Sequence, residues 1–317
     1  MPWVVGIDEA GYGPNLGPLL QAAVAINLPT DDLAGWETLR PVVRRHGGRW
    51  GRDGRLVIDD SKKIYHGEHA LGKLERGLFG LFGWVPQSFA ALTTSLLPAW
   101  CADELQREHW YAGECNLPQD TTANQLRHDR EQYVFSRPNG VSLLTPHVIL
   151  TPTPWFNRCV DVTQNKSQLL SSGLAELLQW LWGALPAGEF FMIYCDKQGG
   201  RKFYGEILRS AAPHAEVLPE LEADHESRYR IAGPTLNGAV TFRPRSDSES
   251  VAVALASMLC KYLRELCMMQ FNQFWVKHHP GIAPTAGYPL DAHRFFAEIA
   301  GTLPRLRLTP ADVWRIK

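Results

Sequence analysis

Hydrophobic positions along the chain fall into short runs whose spacing changes from strand-like to helix-like and back. Residues 3–8 form an apolar run that stops at acids and a glycine–proline cluster, which predicts a strand delivering Asp8 and Glu9 to a turn. Residues 19–26 resume as a second strand, so the chain should open with a hairpin. Residues 56–58 lead into the polar cluster Asp59-Asp60-Ser61-Lys62-Lys63, and 69–81 read as a helix. From 83 to 139, tryptophans, prolines and mixed charges show no sustained period, which suggests an elaboration packed on the main domain. Residues 141–150 are strand-like. Leu169, Leu170, Leu174, Leu177, Leu178, Leu181 and Trp182 make the apolar stripe of a helix over 166–185, closed by Pro186 and Gly188. The continuous apolar run 190–195 fits a strand buried on both faces and again ends at an acid, Asp196. A helix over 203–211 follows, then two strands within 228–245 around the hairpin dipeptide Asn237-Gly238. A long helix over 248–274 and short ones near 291–302 and 310–314 complete the chain. Strands alternating with helices predict an α/β fold. No internal repeat or low-complexity tract interrupts it.

Composition narrows the class without deciding it. The chain has 317 residues, 45% hydrophobic and 21% charged, as expected of a soluble globular protein of one or two domains. Its formal net charge of −1 argues against non-specific coating of nucleic acid. A local basic groove remains compatible, because acidic metal ligands would cancel part of its charge. The apolar stretches fall short of the roughly 20 residues of a membrane span, so no membrane partner is expected. The N-terminus runs straight into a strand and reads as part of the fold rather than as a secretory signal. Six cysteines are scattered with no C-x-x-C pair, which fits reduced thiols in a cytoplasmic protein.

The candidate chemistry is acidic. Three apolar segments end in acids, at Asp8-Glu9, Asp60 and Asp196, and a further acid, Asp247, precedes the long helix. In open α/β sheets functional groups gather at strand ends. Converging carboxylates repel one another unless a cation offsets them, and oxygen-only ligands suit Mg2+ or Mn2+. A pair of such ions is suited to in-line displacement at a phosphodiester. On spacing alone the alternative stays open that Asp247 is a helix N-cap and Asp196 a solvated loop acid. A dinucleotide site at Gly11-Tyr12-Gly13 is excluded, because Leu16 stands where the fingerprint needs glycine and Pro14 interrupts the helix start.

The segment Gly6-Ile7-Asp8-Glu9-Ala10-Gly11-Tyr12-Gly13-Pro14, with Leu16-Gly17-Pro18, closely resembles the opening motif of the type 2 ribonucleases H. Asp60-Ser61-Lys62-Lys63, Tyr194-Cys195-Asp196, Asp247 with Ser257, Lys261 and Arg264, and Gly287-Tyr288-Pro289 with His293 resemble that family's later motifs, in its order, across residues 6–293. The resemblance implies a ribonuclease H-like fold: a mixed central sheet flanked by helices in a single domain over 1–317. It adds an insertion at about 83–139, extra residues over 197–246 and a helical C-terminal part over 275–317. It implies that Asp8, Glu9, Asp196 and Asp247 are catalytic and hold two divalent ions, Mg2+ or Mn2+. It also implies a substrate face of Gly11, Tyr12, Gly13, Ser61, Lys62, Lys63, Ser257, Lys261, Arg264 and Tyr288. Lys261 and Arg264, three apart on a helix, would share a face. The implied activity is hydrolysis of the RNA strand of RNA–DNA hybrids, or of DNA containing ribonucleotides, giving 5′-phosphate and 3′-hydroxyl ends. The chain departs from the family at Tyr12, where a basic residue is usual, and at Ala286, where a lysine is usual. Residues before position 6 leave no room for the N-terminal substrate-binding domain of type 3 relatives. The alternatives are a hybrid-binding protein that has lost turnover and a nuclease on other duplex structures. A cytoplasmic monomer is the working expectation, and the sequence names no protein partner.

Overall fold

The computed structural model describes residues 2–28, 32–47, 53–136, 138–198, 200–246 and 249–316, with the side chain of Phe135 outside that set. Its strands are β1 (Trp3–Ala10), β2 (Leu19–Asn27), β3 (Val43–Arg44), β4 (Leu56–Val57) and β5 (Ser142–Leu143). They continue with β6 (His147–Thr151), β7 (Phe190–Asp196), β8 (Glu216–Glu222), β9 (Ser227–Ala232) and β10 (Asn237–Arg243). One eight-stranded sheet runs β5-β2-β1-β7-β10-β9-β8, with β6 also paired to β2, and β3 and β4 form a small parallel pair apart from it. β1 and β2 make the expected antiparallel hairpin, in register from Trp3↔Asn27 to Ala10↔Leu20. β7 lies parallel to β1 on one side and to β10 on the other. The sheet is therefore mixed, and helices flank it.

The long helix Val251–His278 packs across β1 and β2. Its first ten residues, through Cys260, are all buried, so this segment is apolar all round rather than striped. The approach is close enough to dictate glycine at position 6: a Cβ there would lie 2.1 Å from the backbone carbon of Ala252. The helix Lys166–Ala184 adds Leu174, Leu177, Leu178 and Leu181 to the same core, as its stripe predicts. A second cluster joins Leu16 to Phe271, Trp275, Phe295 and Ile299, which fastens the helix Pro289–Ile299 against the far end of the long one.

Three expectations need correction. Asn237-Gly238 does not form a turn: both residues are paired in β10, and the connection is Gly233 to Leu236, closed by a 2.8 Å bond from the Gly233 N–H to the Leu236 carbonyl. Glycine is required at 238 for packing, since a Cβ there would lie 2.2 Å from the Phe191 carbonyl oxygen. Residues 141–150 break at Pro146 into β5 and β6. The 83–139 region is helical, with Phe89–Leu96, Ala99–Gln106 and Ala123–Ser136. Among the described residues no helix is long and apolar enough to cross a membrane, and all six cysteines are free thiols.

Candidate active site

The parallel pairing of β1 and β7 builds the acidic centre. Its last registered pair is Ile7↔Cys195, so Asp8 and Asp196 follow at the same level of adjoining strands. Glu9 comes next on β1. Its carboxyl is pushed up to about 8, chiefly by burial and then by the charges of Asp8 and Asp196, with Lys62 acting in the opposite direction. Asp8 and Glu9 act on the buried thiols of Cys195 and Cys260, and Asp196 on that of Cys195, both of which burial has already pushed up. Asp8 Oδ1 accepts the Glu9 N–H at 2.8 Å, and Asp196 Oδ1 accepts the Ser246 N–H at 3.4 Å. Ser246 also donates to the Cys195 carbonyl at 3.0 Å, which ties the chain just before position 247 to the end of β7. Asp247 itself lies outside the described residues.

Among the described residues no group of three His, Cys, Asp or Glu side chains is arranged to hold a metal ion. The donor chemistry nevertheless fits a hard cation. The three described acids offer only oxygen, and a carboxyl held near 8 by burial and then by neighbouring acids is one that a divalent ion would deprotonate.

A glycine loop borders this centre and is held from beneath by two buried arginines. Arg264 donates to the carbonyls of Leu16 at 3.2 Å, Pro18 at 2.8 Å and Ala286 at 3.2 Å. Arg315 donates to Gly11 at 2.6 Å and Gly17 at 2.7 Å. Gly11 and Gly17 take φ of +86° and +80°, and a Cβ on Gly11 would lie 2.5 Å from the Pro18 carbonyl oxygen. Gly287, at φ +81°, accepts the Asn15 N–H at 2.8 Å, which holds the segment carrying Tyr288 against this loop.

No family model and no curated protein matches the sequence. Among solved structures the chain is similar to ribonuclease HII of Archaeoglobus fulgidus, seen in a complex with PCNA. The identity is 14%, over 99% of this chain and 93% of that one, with a TM-score of 0.43. For ribonuclease H2 of Pyrococcus horikoshii the figures are 13%, 98%, 92% and 0.44. For Bst ribonuclease HIII in complex with Mn2+ they are 16%, 93%, 62% and 0.38.

The remaining expected site residues separate into two groups. Lys62 acts on Glu9 and so belongs to the acidic centre, while Asp60 caps the short helix Ser61–Ile64 by accepting the Lys62 N–H at 2.9 Å. Ser61 and Ser257 are buried and share a 3.1 Å hydrogen bond, which joins that helix to the long one. Tyr288 is 55% exposed, Tyr12 half-buried and Gly13 exposed. Lys63 pairs with Asp59 at 3.0 Å; Lys261 pairs with Glu265 and lies 4.2 Å over the Tyr65 ring. Arg264 is buried and bonded to three backbone carbonyls, so the structure makes it a support of the glycine loop. Sequence reasoning missed Arg315, Lys166 and Arg201. Nothing local marks Arg315, which follows a four-residue helix, whereas Arg201-Lys202-Phe203-Tyr204 is a basic–aromatic run that could have been noticed.

Proposed function

We propose that the chain is a metal-dependent endoribonuclease that hydrolyses the RNA strand of RNA–DNA hybrids, leaving 5′-phosphate and 3′-hydroxyl ends. One observation carries this reading: Asp8 and Asp196 end adjoining parallel strands at the same level, with Glu9 next on β1, where their charges add to the effect of burial on its carboxyl. Divalent ions, Mg2+ or Mn2+, held by these three acids and by Asp247 would polarise the scissile phosphate and supply an activated water. The protein's part is to hold the strand. Lys62 provides a cation beside the carboxylates, the glycine loop with Gly11 and Gly13 follows them in the chain, and the exposed Tyr288 offers a ring to a sugar edge. Selectivity for RNA would depend on the 2′-hydroxyl.

The test compares Asp8→Asn and Asp196→Asn with the parent protein on matched RNA–DNA, double-stranded RNA and DNA duplexes, including one with a single ribonucleotide. Each is titrated with Mg2+ and Mn2+. Loss of hybrid cleavage in variants that keep their thermal unfolding is expected. Undiminished cleavage in either variant refutes the assignment. Tight hybrid binding without product from the parent protein would instead indicate a binding protein.

A further inference from the structure

Tyr12 stands in the glycine loop between opposite charges. The Lys166 ammonium lies 4.5 Å from its ring centroid, and both Glu9 and Arg201 act electrostatically on its hydroxyl. Its ring packs on the cluster formed by Leu19, Phe156, Val160, Leu169 and Leu170, which fixes its position. Arg201 belongs to the loop that leaves β7 after Asp196. That loop is pinned internally: Lys197 donates to the Ala223 carbonyl at 2.6 Å and the Arg201 carbonyl at 3.3 Å, and the Gln198 N–H donates to the Tyr204 hydroxyl at 3.1 Å. Tyr204 is fully buried and stacked on Phe242. Among the described residues the Arg201 guanidinium has no ion pair and no hydrogen bond, whereas neighbouring Lys202 is paired with Asp224 at 2.7 Å. Phe203, next to them, is 68% exposed.

We propose that Lys166, Tyr12 and Arg201 form a backbone-phosphate subsite beside the carboxylates, with Phe203 at its rim as a stacking surface for the same nucleic-acid strand. The proposal rests on the nuclease reading and adds to it. Two segments remote from the glycine loop in sequence supply the positive charge that Tyr12 does not carry. A polyanion drawn towards three carboxylates needs flanking cations, and an arginine without a carboxylate partner on a pinned loop meets that need. The contact is to phosphate and ring faces, so it carries no base preference.

The experiment measures binding of a fluorescent RNA–DNA hybrid by anisotropy in EDTA, where turnover is excluded, from 50 to 200 mM KCl. Arg201→Gln and Lys166→Ala are each expected to lower the slope of log affinity against log salt by about 0.9, so that raising the salt weakens binding roughly 3.5-fold less than in the parent. Lys166→Arg should retain the parent slope. The loss should be equal for two unrelated sequences, and Phe203→Ala should weaken binding without changing the slope. Parent-like slopes for Arg201→Gln and Lys166→Ala overturn the subsite and leave the nuclease reading intact. If the parent protein binds no hybrid at any salt, the subsite falls, and the nuclease reading stands or falls by the cleavage assay with divalent ions. Thermal unfolding of each variant separates a lost contact from a lost fold.

Discussion

Arg315 offers the most direct test of how the site is held. It is 1% exposed, its guanidinium lies 4.9 Å over the Phe156 ring, and it has no carboxylate partner among the described residues. Burial, and then the charge of Arg264, push it well below the usual arginine range. Replacement by methionine keeps most of the volume and removes two bonds to loop carbonyls, Gly11 at 2.6 Å and Gly17 at 2.7 Å. Hydrogen bonds to a charged group contribute about 1.5–3 kcal/mol each, so the loss is roughly 3–6 kcal/mol. Against it stands relief of an uncompensated buried cation and of its repulsion with Arg264, on the order of 1–3 kcal/mol after relaxation. The carbonyl bonds win, because Gly17 stays buried and its oxygen would be left unpaired. Net destabilisation of about 2–4 kcal/mol is expected, read by urea unfolding as a lower midpoint at unchanged slope. A variant within 0.5 kcal/mol of the parent, or above it, would refute the argument that this arginine holds the loop. A cycle with Arg264→Met should be non-additive by more than about 0.5 kcal/mol, since both cations serve one loop.

Two further outcomes follow from packing and burial. Gly6→Ala would place a methyl 2.1 Å from helix backbone and force the long helix off β1, so it should cost more than about 3 kcal/mol or abolish soluble expression; parent-like unfolding would contradict that geometry. Glu108 is buried beside Asp312 and Glu104, and burial first, then those acids, push its carboxyl from an ordinary value near 4.5 up to about 9. The folded state therefore keeps this proton where the unfolded chain has lost it. The stability it gives is complete below pH 4.5 and fades as pH rises towards 9. Glu108→Gln should remove that decline and be the more stable protein at pH 8 by about 2–4 kcal/mol. Unfolding at pH 5 and pH 8 tests it, and an unchanged pH dependence refutes it.

The parts of the fold that sequence reveals are those where one local pattern decides. Two apolar runs ending in acids announce β1 and β7, although only β1 is buried on both faces. In β7 Phe191, Ile193 and Cys195 are buried and the alternate side is left partly open, so its continuous apolar run overstated its burial. The stripe of leucines from 169 to 181 gives its helix in the same way. Local pattern failed where a distant partner set the choice. Asn237-Gly238 looks like a turn because glycine there answers to the Phe191 carbonyl and not to backbone freedom. The helix Ala123–Ser136 hides its period because little of it is buried, and Asp129 on its inner side is held by a two-pronged contact from Arg76 at 2.7 and 2.9 Å. Lys261 and Arg264 were expected to act together. Three residues of helix rotate by about 300°, which leaves roughly 60° between the side chains, and that difference sends one towards Glu265 and the other under the loop.

This division of labour bears on how the site could work. A cluster of carboxylates that receives a polyanion needs positive charge nearby, yet a cation inside the glycine loop itself would have to share its space with the acids on β1. Here the loop carries a tyrosine. Two buried arginines fix its backbone from below, and Lys166 and Arg201 approach its ring and hydroxyl from the flank. The buried pair sets geometry, because guanidinium groups bonded to carbonyls at 2.6–3.2 Å cannot follow a ligand. The flanking pair sets attraction, because Arg201 sits on a surface loop without an ion-pair partner among the described residues. The two roles should therefore separate in experiment. Removing a buried arginine should change unfolding and every activity together, while removing a flanking cation should change salt dependence and leave unfolding where it was.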